Sequence, residues 1–252
     1  MNFRDDRLNA MKVTASNART VLVSIALLIL TGCASAPAAN PRDPWEGFNR
    51  PMAEFNEALD KALVKPVATA YKAITPSMVR TGVGNFFRNW SQPWVAFNAA
   101  LQLKGQATFE TLARFGINTF MGLGGLIDVA SDFNIERYQE DLGKTLGVWG
   151  MGTGPYLVLP FFGPSSLRDA LAFSFETTLD PVNNLGNLTA RDSLVILRAV
   201  DFRASVLKAG DVLDEAALDK YSFYRDVFLQ RRDNLVQDGR DVPTKDEEPA
   251  PK

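Results

Sequence analysis

Histidine is absent from this 252-residue sequence, and cysteine occurs only once, as Cys33. Without histidine, the Ser-His-Asp and Cys-His mechanisms and the common zinc sites are excluded. A lone cysteine has no partner within the chain for a disulfide. Carboxylate chemistry and the binding of calcium or magnesium stay open on composition alone. We predict a protein without catalytic residues, without a metal site and without a cofactor.

A hydrophobic run long enough to cross a membrane is missing near the N-terminus, where a shorter one occurs. The mostly apolar run from Val21 to Leu30 has about half of the ~20 residues that a transmembrane helix needs. Four basic residues precede it: Arg4, Arg7, Lys12 and Arg19. A basic start, a short apolar middle and small residues at the end are typical of a secretory signal peptide.

The end of this run, Leu30-Thr31-Gly32-Cys33, resembles a bacterial lipobox. In that motif the cysteine becomes the first residue of the mature chain and carries diacylglycerol on its sulfur and an acyl group on its amine. The alternative is an ordinary cleavage site that happens to contain a cysteine. Several acyl chains make release from a membrane very slow. The aspartate that retains many such lipoproteins at the inner membrane does not follow Cys33, so we expect a lipid-anchored protein on the periplasmic side of an outer membrane.

The chain divides into four predicted parts. They are a signal peptide at 1–32, a lipidated tether at 33–42, a helical domain at 43–239 and a charged, proline-containing tail at 240–252, for which we expect disorder. The whole chain has a formal net charge of −2 and no basic stripe, so we predict that it binds no nucleic acid. Its 17 Phe and 4 Trp suit either a membrane–water boundary or an ordinary core.

Proline residues divide the first part of the domain into short predicted helices. Asp43-Pro44-Trp45-Glu46 predicts a helix start with Asp43 as the N-cap. Pro51 is expected to break or kink that helix, because proline lacks an N–H and its ring clashes with the preceding turn. Two more helices are predicted to start at Pro66 and at Pro76, the latter capped by Thr75.

One long amphipathic helix is predicted from Trp94 to Phe120. Its apolar sector contains Trp94, Phe97, Leu101, Phe109, Leu112, Phe115 and Phe120, and its polar side contains Gln102, Gln106, Glu110, Arg114 and Asn118. Such a helix suits a protein core, with the apolar sector inward. It equally suits a membrane interface, with the aromatic sector in lipid. The pattern alone does not separate the two.

Glycines flank a polar stretch, Asp128 to Lys144. Glycine permits positive φ and close backbone approach, so these glycines are candidate hinges of a moving gate, with turns in an irregular surface region as the alternative. The candidate hinges are Gly122, Gly124, Gly125, Gly143 and Gly147, and the candidate gate loop is Asp132, Phe133, Asn134, Ile135 and Glu136. The spacing of the first three glycines does not fit a dinucleotide-binding motif.

The remainder of the domain alternates between apolar and helical patterns. Residues 156–162 are apolar throughout and predict an extended segment that is either buried or interfacial. A helix is expected near 167–178, capped by residues 163–166. Two further helices are expected at 189–208, with Thr189 and Asp192 at its start, and at 219–237, closed near Gly239. In the last of these, Tyr221, Tyr224, Phe228 and Leu235 share a face.

Several motifs resemble those of the MlaA (VacJ) lipoproteins. They are Asp43-Pro44-Trp45-Glu46-Gly47-Phe48-Asn49-Arg50, Asn85-Phe86-Phe87, Arg114-Phe115 with Asn118, Gly124-Gly125-Leu126-Ile127-Asp128-Val129-Ala130, Thr145-Leu146-Gly147, and Gly154-Pro155-Tyr156 through Pro160-Phe161 to Arg168-Asp169. The resemblance covers residues 43–169 and resumes from Tyr224-Arg225 to Arg231-Arg232-Asp233. Residues 178–217 carry no such motif.

The resemblance implies a mostly α fold, in which short amphipathic helices form a ring or disc in one membrane leaflet, with a hinged loop and a flexible C-terminal tail. It implies an amphipathic channel in the inner leaflet of the outer membrane, beside a trimeric porin. Misplaced phospholipid of the outer leaflet would pass through it to a soluble periplasmic lipid carrier and then to an inner-membrane ABC transporter.

Two other functions are open to a lipid-anchored protein of this composition. One is a non-catalytic adaptor or scaffold that holds a porin or the cell wall. The other is a carboxylate-dependent peptidoglycan hydrolase, which would need a pair of acids such as Glu110 and Glu136 across a sugar cleft.

Overall fold

The computed structural model describes residues 40–216 and 219–240. The predicted signal peptide at 1–32, Cys33 with most of the tether, and residues 241–252 of the predicted tail lie outside the described residues.

Helices make up most of the described chain, which confirms the predicted mostly α fold. In chain order the elements are α1 (Glu46–Leu59), a π-helical turn (Asp60–Val64), α2 (Lys65–Ile74), α3 (Ser77–Leu101), α4 (Gly105–Phe120), a 3-10 turn (Val129–Ser131), α5 (Leu142–Val148), β1 (Tyr156–Leu159), β2 (Gly163–Ser166), α6 (Leu167–Leu179), α7 (Leu188–Ala216) and α8 (Lys220–Arg240). None of the helices in residues 40–216 and 219–240 combines the length and the hydropathy that a membrane span requires.

The predicted break at Pro51 is wrong, because Pro51 lies inside α1. Asparagines on both sides of it bind the backbone of the following hairpin. Asn49 exchanges two hydrogen bonds with Tyr156 and Val158, at 3.0 and 2.9 Å, and Asn56 bonds Leu159 and Phe161, at 2.9 and 2.8 Å. These tertiary contacts hold the helix despite the missing N–H.

Helix α2 begins at Lys65, one residue before the predicted start at Pro66, but no break separates it from the helix before it. Residues 59, 64 and 65 all have right-handed helical φ and ψ, so α1, the π turn and α2 run on as one helical segment. The predicted start near Pro76 is confirmed, since α3 begins at Ser77, but the Thr75 side chain does not cap it.

The single helix predicted from Trp94 to Phe120 is wrong, because the chain turns between α3 and α4. Leu103 has φ 60, and the N–H groups of Leu103 and Lys104 bond the carbonyls of Ala100 and Ala99 at 2.9 and 3.0 Å. This is the Schellman arrangement that ends helices, usually with glycine at the left-handed position. Here that position is a leucine, so the sequence does not show the turn. Helix α4 returns along α3 as a helical hairpin.

A small apolar core lies where α1, the β1–β2 hairpin and α8 meet. Its buried members are Tyr156, Val158, Tyr221 and Leu229. The two strands pair antiparallel, from Tyr156 opposite Ser166 to Leu159 opposite Gly163. The predicted extended segment is therefore confirmed over Tyr156–Leu159, which is buried on alternate residues, whereas residues 160–162 form the turn of the hairpin and expose Phe161 and Phe162.

The three C-terminal helices occur where the sequence predicts them, but two end later than predicted: α7 runs to Ala216 instead of 208, and α8 runs through Gly239 to Arg240. Ser166 accepts a hydrogen bond from the Asp169 N–H at 3.1 Å and so caps α6, as expected. Helix α7 begins one residue before the predicted Thr189, and Asn187, whose side chain accepts from the Ala190 N–H at 3.0 Å, caps it instead.

Candidate functional site

Large apolar side chains lie on the outside of the described chain. Leu103 is 90% exposed, Phe109 77% and Phe120 88%. Some of them are neighbours: Phe109 and Leu112 share a face of α4, and Phe161 and Phe162 are adjacent at the tip of the hairpin. We call the following residues the apolar belt: Phe97, Leu103, Phe109, Leu112, Phe120, Phe161, Phe162, Leu171 and Phe175. Exposed apolar surface of this extent marks a contact with a membrane or with another protein.

The polar sides of α3 and α4 face inward. Gln102, Arg114 and Asn118, which the sequence places opposite the aromatic sector, are all buried. The amphipathic pattern was thus predicted correctly for these three residues, although Gln106 of the same polar side is exposed. Phe109 and Phe120 of the aromatic sector are exposed and do not fill a core, and their contact with lipid stays a prediction. Half of the buried apolar residues among those described are alanines, which give polar side chains room between the helices.

Inside the helical hairpin, a buried carboxylate organises a polar network. Glu140 accepts hydrogen bonds from Gln102, Lys104 and Lys144, each at 2.9 Å. Burial lowers the pKa of Lys104, while the hydrogen bond to Glu140 opposes that shift. Thr145 joins the same network, since it accepts from Gln102 and donates to Asn98. Paired in this way, charges are tolerated in an interior of low polarity.

The N-terminal motif, residues 43–50, joins the start of the described chain to α8. The prediction that Asp43 caps α1 is wrong, since Trp45 precedes the helix and no side chain caps it. Asp43 is fully buried instead, and its carboxylate accepts from Tyr221 at 2.5 Å, Arg225 at 3.3 Å and Asn49 at 2.9 Å. Burial, then the hydrogen bond to Asp43, raises the pKa of Tyr221.

Arg50 extends this junction at the surface. It forms ion pairs with Glu46, at 2.7 Å, and Asp219, at 3.1 Å, and its guanidinium lies 4.5 Å from the centre of the Tyr221 ring. The other motif members, Pro44, Gly47 and Phe48, make no side-chain hydrogen bond. A cluster of residues from both ends of the domain thus positions the segment that follows the tether.

The candidate gate loop is tied to α4 at its two ends. Arg114 donates to the Ile135 carbonyl and to Asp128, at 2.7 Å for the latter. Asn118 bonds both Asp128 and the Ala130 N–H, at 2.9 and 2.8 Å. Burial raises the pKa of Asp128, but hydrogen bonds from Ser131 and Asn118 and the charges of two arginines outweigh it, so the pKa is lowered. Between these ties, Asp132, Phe133, Asn134 and Glu136 are exposed.

The five candidate hinge glycines fall into two structural groups. Gly124 and Gly125 have positive φ, at 72 and 94, and form the turn after α4, while a Cβ on Gly122 would lie 2.1 Å from the Ile127 carbonyl oxygen. Gly143 and Gly147 lie inside α5, and Cβ atoms there would lie 2.4 Å from Asp169 and 2.7 Å from Arg168. Close packing therefore explains four of the five glycines, since a Cβ on Gly125 would also lie 2.6 Å from Asn89, and the hinge role of all five stays a prediction.

Glu110 and Glu136, the acid pair that a hydrolase would use, both bond the Tyr138 hydroxyl, at 3.1 and 3.3 Å. Burial and these carboxylates raise the pKa of Tyr138 to about 12. The pair lies outside both cavities described below, so neither cavity places a sugar chain between the two acids. Within residues 40–216 and 219–240, no three Asp, Glu, His or Cys side chains converge as metal ligands do.

A polar cleft opens between α3, α4 and the candidate gate loop. Its lining is made by Asn85, Arg88, Asn89, Gln92, Arg114, Asn118, Asp128 and Arg137, and the space in it that water can enter is about 10 Å³, enough for one water. The sequence reasoning missed Arg88, Asn89, Gln92 and Arg137. Their signal is a polar stripe along α3 at positions 85, 88, 89 and 92, beside the apolar face of the same helix.

A larger groove, of about 980 Å³, lies between α1, the hairpin, α7 and α8. Ligand sites in proteins commonly have about 300–1,000 Å³. One part of its wall is aromatic, with Phe161, Phe162, Phe202, Tyr221 and Tyr224. Another part is charged and includes the ion pair between Asp60 and Arg203, at 2.8 Å. The groove is therefore amphipathic, because apolar and ionic surfaces line the same cavity.

The family model of the MlaA lipoproteins matches residues 41–235. The chain belongs to this family. The match includes the N-terminal motif, the polar cleft, the groove and most of α8, so both cavities lie within the region that the family shares.

Known relatives agree with this assignment. A protein of Escherichia coli strain K12 named "Intermembrane phospholipid transport system lipoprotein MlaA" is 34% identical, over 89% of this chain and 91% of its own length. The protein of the same name from Haemophilus influenzae is 29% identical, over 92% of this chain and 96% of its own length. A solved structure described as "Structural basis for maintenance of bacterial outer membrane lipid asymmetry" matches with a TM-score of 0.68 and 34% identity, over 77% of this chain and 98% of that chain.

Proposed function

We propose that this protein removes misplaced phospholipid from the outer leaflet of the outer membrane and hands it to a soluble periplasmic lipid carrier, and so maintains lipid asymmetry. It lies as a helical ring or disc in the inner leaflet, held by lipid on Cys33 and seated beside a trimeric porin. It has no catalytic role. The relatives from Escherichia coli and Haemophilus influenzae, which are named as transport lipoproteins, support the proposal.

The observation that carries the proposal is the reversed polarity of the fold. A phospholipid has a charged head group and two apolar tails, so a protein that moves it needs polar and apolar surfaces in reach of one another. The apolar belt offers contact with acyl chains on the outside, and the polar side chains face inward. The groove of about 980 Å³ places aromatic rings and ion pairs in one cavity.

Passage of the lipid requires a gate, which we assign to the loop at 132–136. Its exposed tip is polar apart from Phe133, and its ends are tied to α4 through Arg114 and Asn118. A gate with two positions needs a body that tolerates water in both of them. Gly124 and Gly125, with their positive φ, lie at the turn before the loop.

The direct test measures phospholipid on the cell surface in a deletion strain. We expect excess surface phospholipid and sensitivity to detergent with chelator, both restored by the wild-type gene. We also expect the purified protein to release neither fatty acid nor lysolipid from phospholipid. Normal surface phospholipid together with a displaced porin would instead establish the adaptor function. Release of fatty acid would establish an enzyme.

The lipid attachment has its own test. Replacing the predicted lipidated residue, Cys33→Ala, is expected to leave an uncleaved precursor that does not reach the outer membrane, because attachment depends mainly on acyl chains. Fractionation and mass measurement of the N-terminal peptide give the readout. A fully processed variant at normal outer-membrane levels would contradict the lipoprotein assignment.

A further inference from the structure

The polar cleft between α3, α4 and the gate loop has an excess of positive charge. Three of its lining residues are arginines and one is an aspartate. Arg114 is buried and held by Asp128 and by two other acceptors, so its role is structural. Arg137 also pairs with Asp128 but keeps 36% of its side chain exposed.

Arg88 is the least satisfied of the three arginines. Its guanidinium donates to the Asn85 side chain at 2.7 Å and forms no ion pair with the described residues. Burial, and next the charge of Arg137, lower the pKa of Arg88. The charges of Asp128 and Asp201 oppose that lowering. The cleft still has more guanidinium groups than carboxylates in its lining, and this excess attracts an anion. The planar fork of arginine suits the oxygens of a phosphate particularly well.

Acceptor atoms without a donor lie beside the two arginines. Asn89 and Gln92 are more than nine-tenths buried, and both line the cleft. Their amide nitrogens bond Thr119 and the Arg88 carbonyl, at 2.9 and 3.1 Å. Their amide oxygens are buried and have no donor in the described part of the chain. A buried acceptor without a donor costs free energy, so a ligand that supplies one is favoured.

We propose that the cleft is a seat for a zwitterionic phospholipid head group, in which Arg88 and Arg137 bind the phosphate at the mouth and the amide oxygens of Asn89 and Gln92 accept hydrogen bonds from an ammonium group inside. The space of about 10 Å³ admits only the ammonium end of the head group, so its methylene groups and the phosphate would lie at the mouth. The seat deepens the proposed function, on which it rests, by naming the lipid class that is selected.

The seat also joins two elements. Arg88 belongs to α3, whereas Arg137 follows the gate loop. A phosphate bound by both arginines therefore links the loop to the helical hairpin. Arrival of a head group would favour the position of the loop that this structure shows.

The experiment measures binding of short-chain lipids to the purified, full-length mature protein in detergent. The probes are dihexanoyl phosphatidylethanolamine, dihexanoyl phosphatidylglycerol, dihexanoylglycerol and inorganic phosphate. The variants are Arg88→Gln and Arg137→Gln, with Arg88→Lys as the conservative substitution. Arg191→Gln is the matched control, because among the described residues the Arg191 side chain bonds only its neighbour Asp192, at the start of α7. Circular dichroism confirms that each variant is folded.

We expect phosphatidylethanolamine to bind most tightly, and each Arg→Gln variant to weaken it about tenfold or more, the effect of losing a charge-assisted hydrogen bond. Arg88→Lys should restore part of the affinity, Arg191→Gln should change nothing, and binding of dihexanoylglycerol should be the same in every variant. Unchanged affinity in both Arg→Gln variants would overturn the phosphate seat. Phosphatidylglycerol bound as tightly as phosphatidylethanolamine would overturn the ammonium site, and inorganic phosphate bound as tightly would overturn selection of a lipid.

Failure of the seat is distinguishable from failure of the proposed function. Surface phospholipid in the deletion strain tests transport whatever its head-group preference. If the deletion strain accumulates surface phospholipid and both Arg→Gln variants restore it to wild-type levels, transport stands and the seat is wrong. If the deletion strain has normal surface phospholipid, the function itself is wrong.

Discussion

The buried carboxylate of Asp43 offers a quantitative test of what holds the two ends of the domain together. Asp43→Ala removes one of the carboxylates beside Arg225 and the buried acceptor of the Tyr221 hydroxyl and of an Asn49 amide hydrogen. Arg225 keeps Asp226 at 2.8 Å, so the main cost comes from the two donors that lose this acceptor, about 1–3 kcal/mol each. In a domain of this size, that loss lowers Tm by about 10 °C.

The matched control joins the same two segments at the surface. Asp233 pairs with Arg42 at 2.7 Å, and their side chains are 38% and 49% exposed. An exposed pair contributes about 0–1 kcal/mol, so Asp233→Ala should lower Tm by only a few degrees. Asp43→Asn should fall between the two, because the amide keeps an acceptor for Tyr221 but no charge for Arg225.

Thermal unfolding of the purified mature protein in detergent, followed by far-UV circular dichroism, measures these differences. A loss in Asp43→Ala no larger than that in Asp233→Ala would refute the reasoning. The junction of α8 with the N-terminal motif would then depend on apolar packing around Tyr156 and Tyr221, and not on the carboxylate.

Three further predictions follow from packing, titration and motion. Gly147→Ala should lower the free energy of unfolding by about 1–3 kcal/mol, because its Cβ would lie 2.7 Å from neighbouring side chains. Gly116→Ala, whose Cβ would have nothing within 4 Å, should raise it by up to about 1 kcal/mol, and equal effects on Tm would contradict the packing role of Gly147. Burial raises the pKa of Asp141, but the bidentate hydrogen bonds from Arg232 outweigh burial and the pKa is lowered from 3.8, so this ion pair stabilises the fold above about pH 4 and ceases to do so as the pH falls through the folded-state pKa. Asp141→Asn should therefore lower Tm at pH 7, and the difference in Tm from wild type should shrink below about pH 4. A cysteine at Asn134 or Ile135 in the gate loop, joined by a bifunctional thiol reagent to a second cysteine on the facing turn of α4, where Arg114 bonds the Ile135 carbonyl, should hold the loop and stop clearance of surface phospholipid. Normal clearance in the crosslinked protein would mean that the loop does not move during transport.

The sequence determined which residues share a face, but not which face lies inside. The period of the pattern in α4 separates Phe109 and Leu112 from Arg114 and Asn118, and the structure keeps that separation. Orientation depends on the surroundings of the helix, because an aromatic face is stable in a protein core and in lipid alike. The buried polar residues of the neighbouring elements settle it.

Two other features could not be predicted from the sequence pattern, because long-range contacts determine them. Asp43 and the proline after it have the composition of a helix start, yet the carboxylate bonds a tyrosine 178 positions later. Gly147 is a residue type typical of a hinge, yet it packs closely against Val236 on α8. Leu103 shows the limit of local rules, because it occupies a left-handed position without being glycine or asparagine.

The charged side chains near the helical hairpin differ in whether they have a partner of opposite charge, and this difference indicates where an anionic ligand would bind. Cations buried near the helical hairpin each contact a carboxylate, as Glu140 bonds both Lys104 and Lys144 and Arg114 lies against Asp128. Such contacts stay in place, because separating an ion pair inside a protein is costly. Arg88 differs, since it lines a cleft and has only an amide as its side-chain partner. An anionic ligand gains most binding free energy beside a cation that has no carboxylate partner. Along the polar side of α3, that cation among the described residues is Arg88.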